Sequence, residues 1–253
     1  MTSPDAASAM DDEFDVSARW TAEAVAQLGP DHALPAACRG SASPAALRWL
    51  TADLEPGSLL VDVGAGMGGP AAFAARETRA HPLLFDPMPG ACRAAAELFE
   101  LPTLVASAER LPLRTAAADA AWCIGVLCTI DDKPAALQEL RRILPTSAPL
   151  GMLVFVRRGE IDDGPAGNTF PTDTELDRLV RDARFTVTAD VDLTDLDVAP
   201  ADWQERIDRV ERRIEELHSS DPRFIEASDQ ERKITRLLTE ERIAGRLLRA
   251  VAI

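Results

Sequence analysis

The pattern of apolar segments in this chain predicts an α/β protein built on a doubly wound, mostly parallel sheet. Three observations carry that expectation. Between about residues 58 and 157, short apolar runs alternate with helix-patterned stretches, as in a parallel sheet covered on both faces. The first of these runs, Leu59 to Val63, breaks on a glycine turn and continues into an Ala-rich helical stretch. The length, 253 residues, is enough to bury a full core and suits one large α/β domain with a helical annex better than several small domains.

Taken in order, residues 1–13 are acidic and lack the apolar stretch of a secretory signal, so they are expected to form a disordered tail. Residues 14–56 form a helical segment. One helix is expected from Phe14 to about Leu28 and another from about Pro44 to Leu54, with Ser43 as N-cap and Pro56-Gly57 as the stop. The main domain then runs from 57 to 253. After the first strand, a helix from Pro70 to Arg79 places a proline in the first turn, where its missing N–H costs nothing. His81 to Phe85 is a strand ending at Asp86, Gly90 to Phe99 a helix, Thr103 to Ala106 a strand and Ala120 to Val126 a strand. Pro134 to Ile143 is a helix and Leu150 to Val156 a strand.

The pattern then changes. Thr172 to Ala183 reads as a helix capped by Thr172, and Phe185 to Val191 as a strand. Asp202 to Leu217 places Trp203, Ile207, Val210, Ile214 and Leu217 on one apolar stripe. A helix at Gln230 to Glu241 and a strand at Leu247 to Ile253 close the chain, and residues 198–241 are expected as a helical insertion over the site.

Charge and composition exclude several function classes. A net charge of -15 and a pI near 4.6 argue against a nucleic-acid partner, whose affinity comes from clustered Lys and Arg. Arg206, Arg209, Arg212 and Arg213 are interleaved with Glu205, Glu211, Glu215 and Glu216, which reads as a solvated helix face. No stretch approaches the roughly 20 apolar residues of a membrane helix, so a cytoplasmic protein with a small-molecule partner is expected. Cys38, Cys92, Cys123 and Cys128 show no CxxC pair and no neighbouring His. No metal site is expected from them, and buried, reduced thiols are.

Gly64, Gly66 and Gly68 make G-x-G-x-G directly after a buried strand, where glycine lets the backbone turn tightly and approach a ligand. Gly64, Gly66 and Gly69 equally satisfy G-x-G-x-x-G, the dinucleotide fingerprint. Asp86 ends the second strand about 20 residues further on, where a carboxylate can accept both hydroxyls of an adenosyl ribose. Up to this point a dinucleotide and another adenosine cofactor fit alike.

The neighbouring segments resemble the class I S-adenosylmethionine-dependent methyltransferases. VDVGAGMGG is similar to the family's first motif, LLFDPMP to its acidic loop, ASAERLPL to the loop after strand three, AAWCIGVLCTIDD to its fourth strand and following loop, and ALQELRRILPTSAPLGMLVFV to its helix and fifth strand. The resemblance implies a Rossmann-like sheet of seven strands with an antiparallel last strand, and S-adenosyl-L-methionine as cofactor. By the same resemblance Asp62, with Gly64, Ala65, Gly66 and Gly68, would hold the methionine moiety. Asp86 would take the ribose hydroxyls and Met88 would lie against the adenine. Many relatives have Asp where this chain has Ser107, whose hydroxyl can still hydrogen-bond, and Ala108 would touch the ring edge. The stretch from Cys123 to Val126 would pass the sulfonium. Arg39, in an N-terminal segment such enzymes bring over the cofactor, would pair with its carboxylate or else lie on the surface beside a helix cap.

The acceptor end is sparsely marked. The chain has no Tyr and three His, and the general-base candidates are His32, Asp131 and His218. His81 begins a strand and reads as structural; Asp131 and Asp132 also suit helix capping before Pro134. Trp20 and Trp203 are candidate walls of an acceptor pocket, although the stripe containing Trp203 is explained equally by packing on the N-terminal helix. The implied function is transfer of a methyl group to an O, N or C nucleophile of a small molecule. The rival readings are an NAD-dependent oxidoreductase on the same turn and a non-catalytic cofactor-binding relative.

Overall fold

The computed structural model describes residues 4–40 and 42–253. Helix α1 (Pro4–Leu28) starts well before Phe14, so residues 4–13, expected as a disordered tail, continue the helix, and residues 1–3 lie outside the described residues. The local reason lies in the sequence: Pro4 suits the first turn of a helix, and the alanines that follow favour it. A short helix, α2 (Ala33–Ala37), follows, and α3 (Pro44–Thr51) is capped by Ser43, whose Oγ accepts from Ala46 N at 3.2 Å.

The strand and helix alternation then runs as β1 (Leu59–Val63), α4 (Gly69–Thr78), β2 (His81–Asp86), α5 (Pro89–Phe99), β3 (Thr103–Val105), β4 (Ala120–Ile124), α6 (Lys133–Ile143) and β5 (Pro149–Arg157). It continues as α7 (Asp173–Asp182), β6 (Phe185–Asp192), α8 (Ala201–His218), α9 (Pro222–Thr239) and β7 (Ile243–Ala252). Thr172 and Glu175 form a complete capping box on α7. Helix α9 begins well before the expected Gln230, because Asp221 accepts from Arg223 N and Pro222 occupies the first turn.

The strands form one seven-stranded sheet in the order β3-β2-β1-β4-β5-β7-β6. Neighbours from β3 to β5 pair in parallel, and β7 is antiparallel to both β5 and β6. β7 starts earlier than the expected Leu247, because Ile243 already pairs with Arg157 and the strand covers β5 along its full length. The strand order reverses between β1 and β4, and ligands of open α/β sheets bind in the crevice that such a reversal opens at the carboxyl ends of the strands.

Alternate side chains feed two cores. Val61, Val63, Phe85, Ala121 and Cys123 face the layer of α6 and α7 with Leu137, Leu140, Leu176 and Val180. Leu60, Trp122 and Ile124 face the layer of α3 and α4 with Leu47, Leu50 and Phe73. The insertion between β6 and β7 docks on the N-terminal helices: Val210 and Ile214 of α8 are buried against Val16, Trp20, Val25 and Ala36. Among the described residues no helix is long and apolar enough to cross a membrane.

Leu140 is fully buried under the sheet. Leu140→Ala is expected to cost about 2–5 kcal/mol, read as a lower urea midpoint with an unchanged slope.

Candidate cofactor site and the adjoining cavity

The turn after β1 is sewn to the end of β2. Gly64 N and Ala65 N both donate to the carbonyl of Phe85, at 2.7 and 3.1 Å, and Gly68 N donates to Ala65 O at 2.8 Å. Gly64 has φ 67°, and a Cβ there would lie 2.4 Å from the Val126 side chain. Glycine is therefore required by the close passage of the turn under the loop after β4. At Gly66, φ is 53° and a Cβ would meet nothing within 4 Å, so the backbone there borders open space where a ligand can approach. The first turn of α4 carries no side-chain cap, which leaves helix-start N–H donors for an anionic group such as a carboxylate.

Two carboxylates stand at this crevice. Asp86, 6% exposed, is held at both oxygens: Oδ2 accepts from Gly66 N at 2.8 Å and Oδ1 from Met88 N at 2.9 Å. A carboxylate with two acceptor oxygens suits the pair of vicinal hydroxyls on a ribose. Asp62, 1% exposed, has no hydrogen-bond partner at Oδ2. Burial, reinforced by the negative charge of Asp86, pushes its carboxyl up to about 8. An orphaned buried carboxylate beside a ligand cradle fits a ligand ammonium group, and this pair of residues therefore fits the methionine and ribose ends of S-adenosylmethionine.

Met88 and Met67 pack against Ala18 and Ala22 of α1, which lies along α5 with Ala91 and Ala94. Asp15 of α1 accepts a hydrogen bond from Gly90 N and so pins the helix beside Met88. In the turn after β3, Ser107 is exposed and its hydroxyl donates to Glu109, while Ala108 is buried in the α6 side core. Cys123 is fully buried among the α6 side residues and its thiol is pushed up to about 12 by burial. Its side chain thus serves the core, and the half-buried Gly125 and Val126 are what the β4 end presents toward the turn. All four cysteines are free and buried.

The third glycine of the ambiguous G-x-G-x-x-G pattern has a packing role. A Cβ on Gly69 would sit 2.4 Å from the backbone of Ala37 and 2.7 Å from Cys38 N, so the segment after α2 presses directly onto the start of α4. Arg39 follows in that segment, and its guanidinium reaches Glu211 of α8 at 3.5 Å. Ser41 lies outside the described residues.

Arg39 and Glu211 share the wall of a cavity of about 350 Å³ between α1, α8 and α9, which Trp20 also lines. Trp20 therefore lines a cavity. Trp203 is not among the lining residues and packs instead with Leu193, Leu196 and the α3 side core, because the α8 stripe turns its first residue toward the sheet and Val210 and Ile214 toward α1. The base candidates are scattered. His32 sits in the turn before α2, with Nδ1 3.3 Å from Gly29 O and Nε2 buried without a partner. His218 stacks on Trp20 at 4.6 Å and meets Glu23 at 3.0 Å. Asp131 is exposed in the loop after β4, and Asp132 caps α6 by accepting from Ala135 N at 3.0 Å.

The structure gives Lys133 a role absent from the sequence expectations, and it leaves Glu211, expected on a solvated helix face, half-buried. Lys133 is buried, and its Nζ donates to Ile130 O and to Thr169 Oγ1, both at 2.6 Å, tying the loop after β4 to the loop after β5. Desolvation lowers its pKa. A signal was present, since a cation in the first turn of a helix opposes the dipole and calls for another reason to be there. Glu211 carried no such mark, because its partner Arg39 lies 172 positions away.

The raised carboxyl of Asp62 has consequences for pH. It keeps its proton on folding between the ordinary aspartate range and about 8, so its contribution to stability falls as pH rises through that window. A ligand ammonium placed beside it favours the anion. Uptake of S-adenosylhomocysteine at pH 7 is therefore expected to release close to one proton (~0.5–1), falling toward zero at pH 9. Calorimetry in buffers of different ionisation enthalpy measures this, and Asp62→Asn should abolish the release. Asp86→Asn should weaken the same ligand by about tenfold or more, since charge-assisted hydrogen bonds are worth roughly twice neutral ones.

Comparisons with known proteins agree with this geometry. Residues 61–155 match the model of a methyltransferase domain. No curated protein matches the sequence. Among solved structures, the [4+2]-cyclase SpnF superposes with a TM-score of 0.66 at 20% identity, over 81% of this chain and 79% of that one. The MccD protein superposes at 0.62 with 15% identity, over 82% and 96%. The geranyl diphosphate C-methyltransferase of Streptomyces coelicolor A3(2), crystallised with Mg2+, geranyl diphosphate and S-adenosyl-L-homocysteine, superposes at 0.58 with 17% identity, over 82% and 79%. At these identities the superpositions establish the fold. Residues 61–155 thus carry the match to a methyltransferase domain, and they help to build the seven-stranded sheet that the chain shares with these structures.

Proposed function

We propose that this chain transfers a methyl group from S-adenosyl-L-methionine to an O, N or C nucleophile of a small molecule. The observation that carries the reading is the pair of buried carboxylates at the β1/β4 switch point, Asp86 held by two backbone N–H groups and Asp62 with one oxygen unpartnered. Asp62 would take the ammonium of the cofactor, the uncapped start of α4 its carboxylate, Asp86 the ribose hydroxyls and Met88 the adenine. Ser107 would accept from the adenine amino group after turning from Glu109, and Ala108 would line the ring edge. Arg39 would help with the carboxylate once it leaves Glu211.

The cofactor supplies an activated methyl group on sulfur, already joined to a good leaving group. The protein's share is then to align the acceptor for in-line displacement and to keep water out, effects that reach about 7–11 kcal/mol in well-oriented systems. Gly125 and Val126 would form the dry floor, and the loops tied by Lys133 would hold it in place. A base is needed only for a protonated acceptor, and of the three candidates Asp131 alone lies on the loop after β4, at the carboxyl end of the sheet. The insertion 198–241 would cover the acceptor through α8 and α9. The net charge of -15 favours a small-molecule acceptor in the cytoplasm over a nucleic acid.

Fold does not guarantee turnover, and SpnF, of the same fold, is described as a cyclase. Two measurements therefore test the proposal. Calorimetric titration should give binding of S-adenosylhomocysteine and none of NAD; binding of NAD alone would overturn the cofactor assignment. Incubation with methyl-labelled cofactor and a panel of amines, phenols and thiols should label at least one acceptor. A chain that binds the cofactor and labels none of them, nor any compound of a cell extract, would be a cofactor-binding relative without methyl transfer.

A further inference from the structure

We propose that the cavity between α1, α8 and α9 is the seat of an organic amine, bound as its ammonium and carried on an aromatic or aliphatic body. This names the acceptor class of the methyl transfer and, as an acceptor assignment, rests on that reading: the ammonium would first give its proton to a wall carboxylate such as Glu211, and the nitrogen lone pair so freed would take the methyl group as S-adenosylhomocysteine leaves.

The cavity has the size of a small-molecule site, about 350 Å³. Its apolar wall is Trp20, Ile214 and Phe224. Its charged wall carries four carboxylates, Asp208, Glu211, Glu215 and Glu231, against two guanidiniums, Arg39 and Arg212. The negative excess is specific to this face of α8. On its outer faces Arg209 pairs with Glu205 at 2.6 Å and Arg213 with Glu216 at 2.8 Å. Asp208, Glu215 and Glu231 make no ion pair among the described residues, and Arg212 makes none either. Among the described residues Glu211 pairs with Arg39 alone, at the long distance of 3.5 Å. Burial and the charges of Glu231 and Asp208 push its carboxyl up, with Arg39 opposing. A cation entering the cavity would relieve that repulsion, whereas an anion would add to it.

Two segments stand between the cavity and the cofactor cradle. Ser17 lines the cavity while the next residue, Ala18, packs on Met67 and Met88. Arg39 lines it while the preceding Cys38 presses on Gly69 at the start of α4. An amine held here would be separated from the cradle by these two segments alone, with its apolar body against Trp20 and Phe224.

The test is calorimetric titration of the full chain, with and without saturating S-adenosylhomocysteine, using tryptamine, phenethylamine and benzyltrimethylammonium as probes. Indole-3-propionate and 3-phenylpropionate serve as shape-matched anions. At least one cation is expected to bind once per chain, about tenfold or more tighter than the anion of its shape, and more weakly as ionic strength rises. Ser228→Trp, which fills the cavity from α9, should abolish cation binding, and Glu231→Gln should weaken it about threefold or more. S-adenosylhomocysteine affinity is the control for folding in each variant, and Glu231→Gln keeps the test decisive should Ser228→Trp fail to fold. Cations that bind no better than the anions, or equally well to Glu231→Gln, would overturn the proposal. Loss of S-adenosylhomocysteine binding by the unmodified chain would instead overturn the methyl-transfer reading.

Discussion

The site depends on one steric constraint, the passage of the β1 turn beneath the loop after β4. Gly64 leaves no room for a side chain against Val126, and the same turn spends its N–H groups on Phe85 O and Asp86. Because three strand ends meet there, the turn fixes the spacing between β1, β2 and β4 at the point where the strand order reverses. Asp62 and Asp86 are neighbours for that reason. An element that moved β4 outward by a side-chain radius would open the crevice and release both carboxylates to water.

Such proximity is unfavourable without a ligand. A buried carboxyl next to a second carboxylate is costly to ionise, and Asp62 responds by holding its proton well above the usual aspartate range. The two apolar cores flanking the sheet supply the stability that tolerates this cost, with Trp122, Leu140 and Leu150 almost wholly removed from solvent. An ammonium group placed at Asp62 would convert the unfavourable term into a favourable one. Fold stability and ligand affinity are thus linked through a single oxygen atom.

The N-terminal helices and the β6–β7 insertion form a second layer of organisation. α1 is bound to the sheet domain through Asp15 and the alanines facing α5, and α8 is bound to α1 through Val210 and Ile214. The wall of the cavity is consequently assembled from parts far apart in the chain. Lys133 performs a comparable task on the other side, joining the loops after β4 and β5 through two carbonyl or hydroxyl oxygens.

The features legible in the sequence were those set by local rules. Strand periodicity, the glycine turn, Asp86 at a strand end, Ser43 and Thr172 as caps each depend on residues within a few positions of one another, where turn chemistry and hydrogen-bond needs act directly. Features that rest on distant partners were not legible. The α8 stripe marked an apolar face but could not say that Trp203 turns to the sheet while Trp20 comes to the cavity. Cys123 looked like a site residue because its strand reaches the site, but the two-residue alternation of a strand sends its side chain to the opposite core. Arg39 found Glu211 rather than open solvent, and the helix beginning at Pro4 gained a partner in α5. The sequence by itself determined the sheet and the chemistry of the cofactor turn, because both follow from short-range geometry. Only the tertiary structure decided which helix faces enclose the cavity, because that choice is made by long-range packing among several apolar surfaces that are alike in composition.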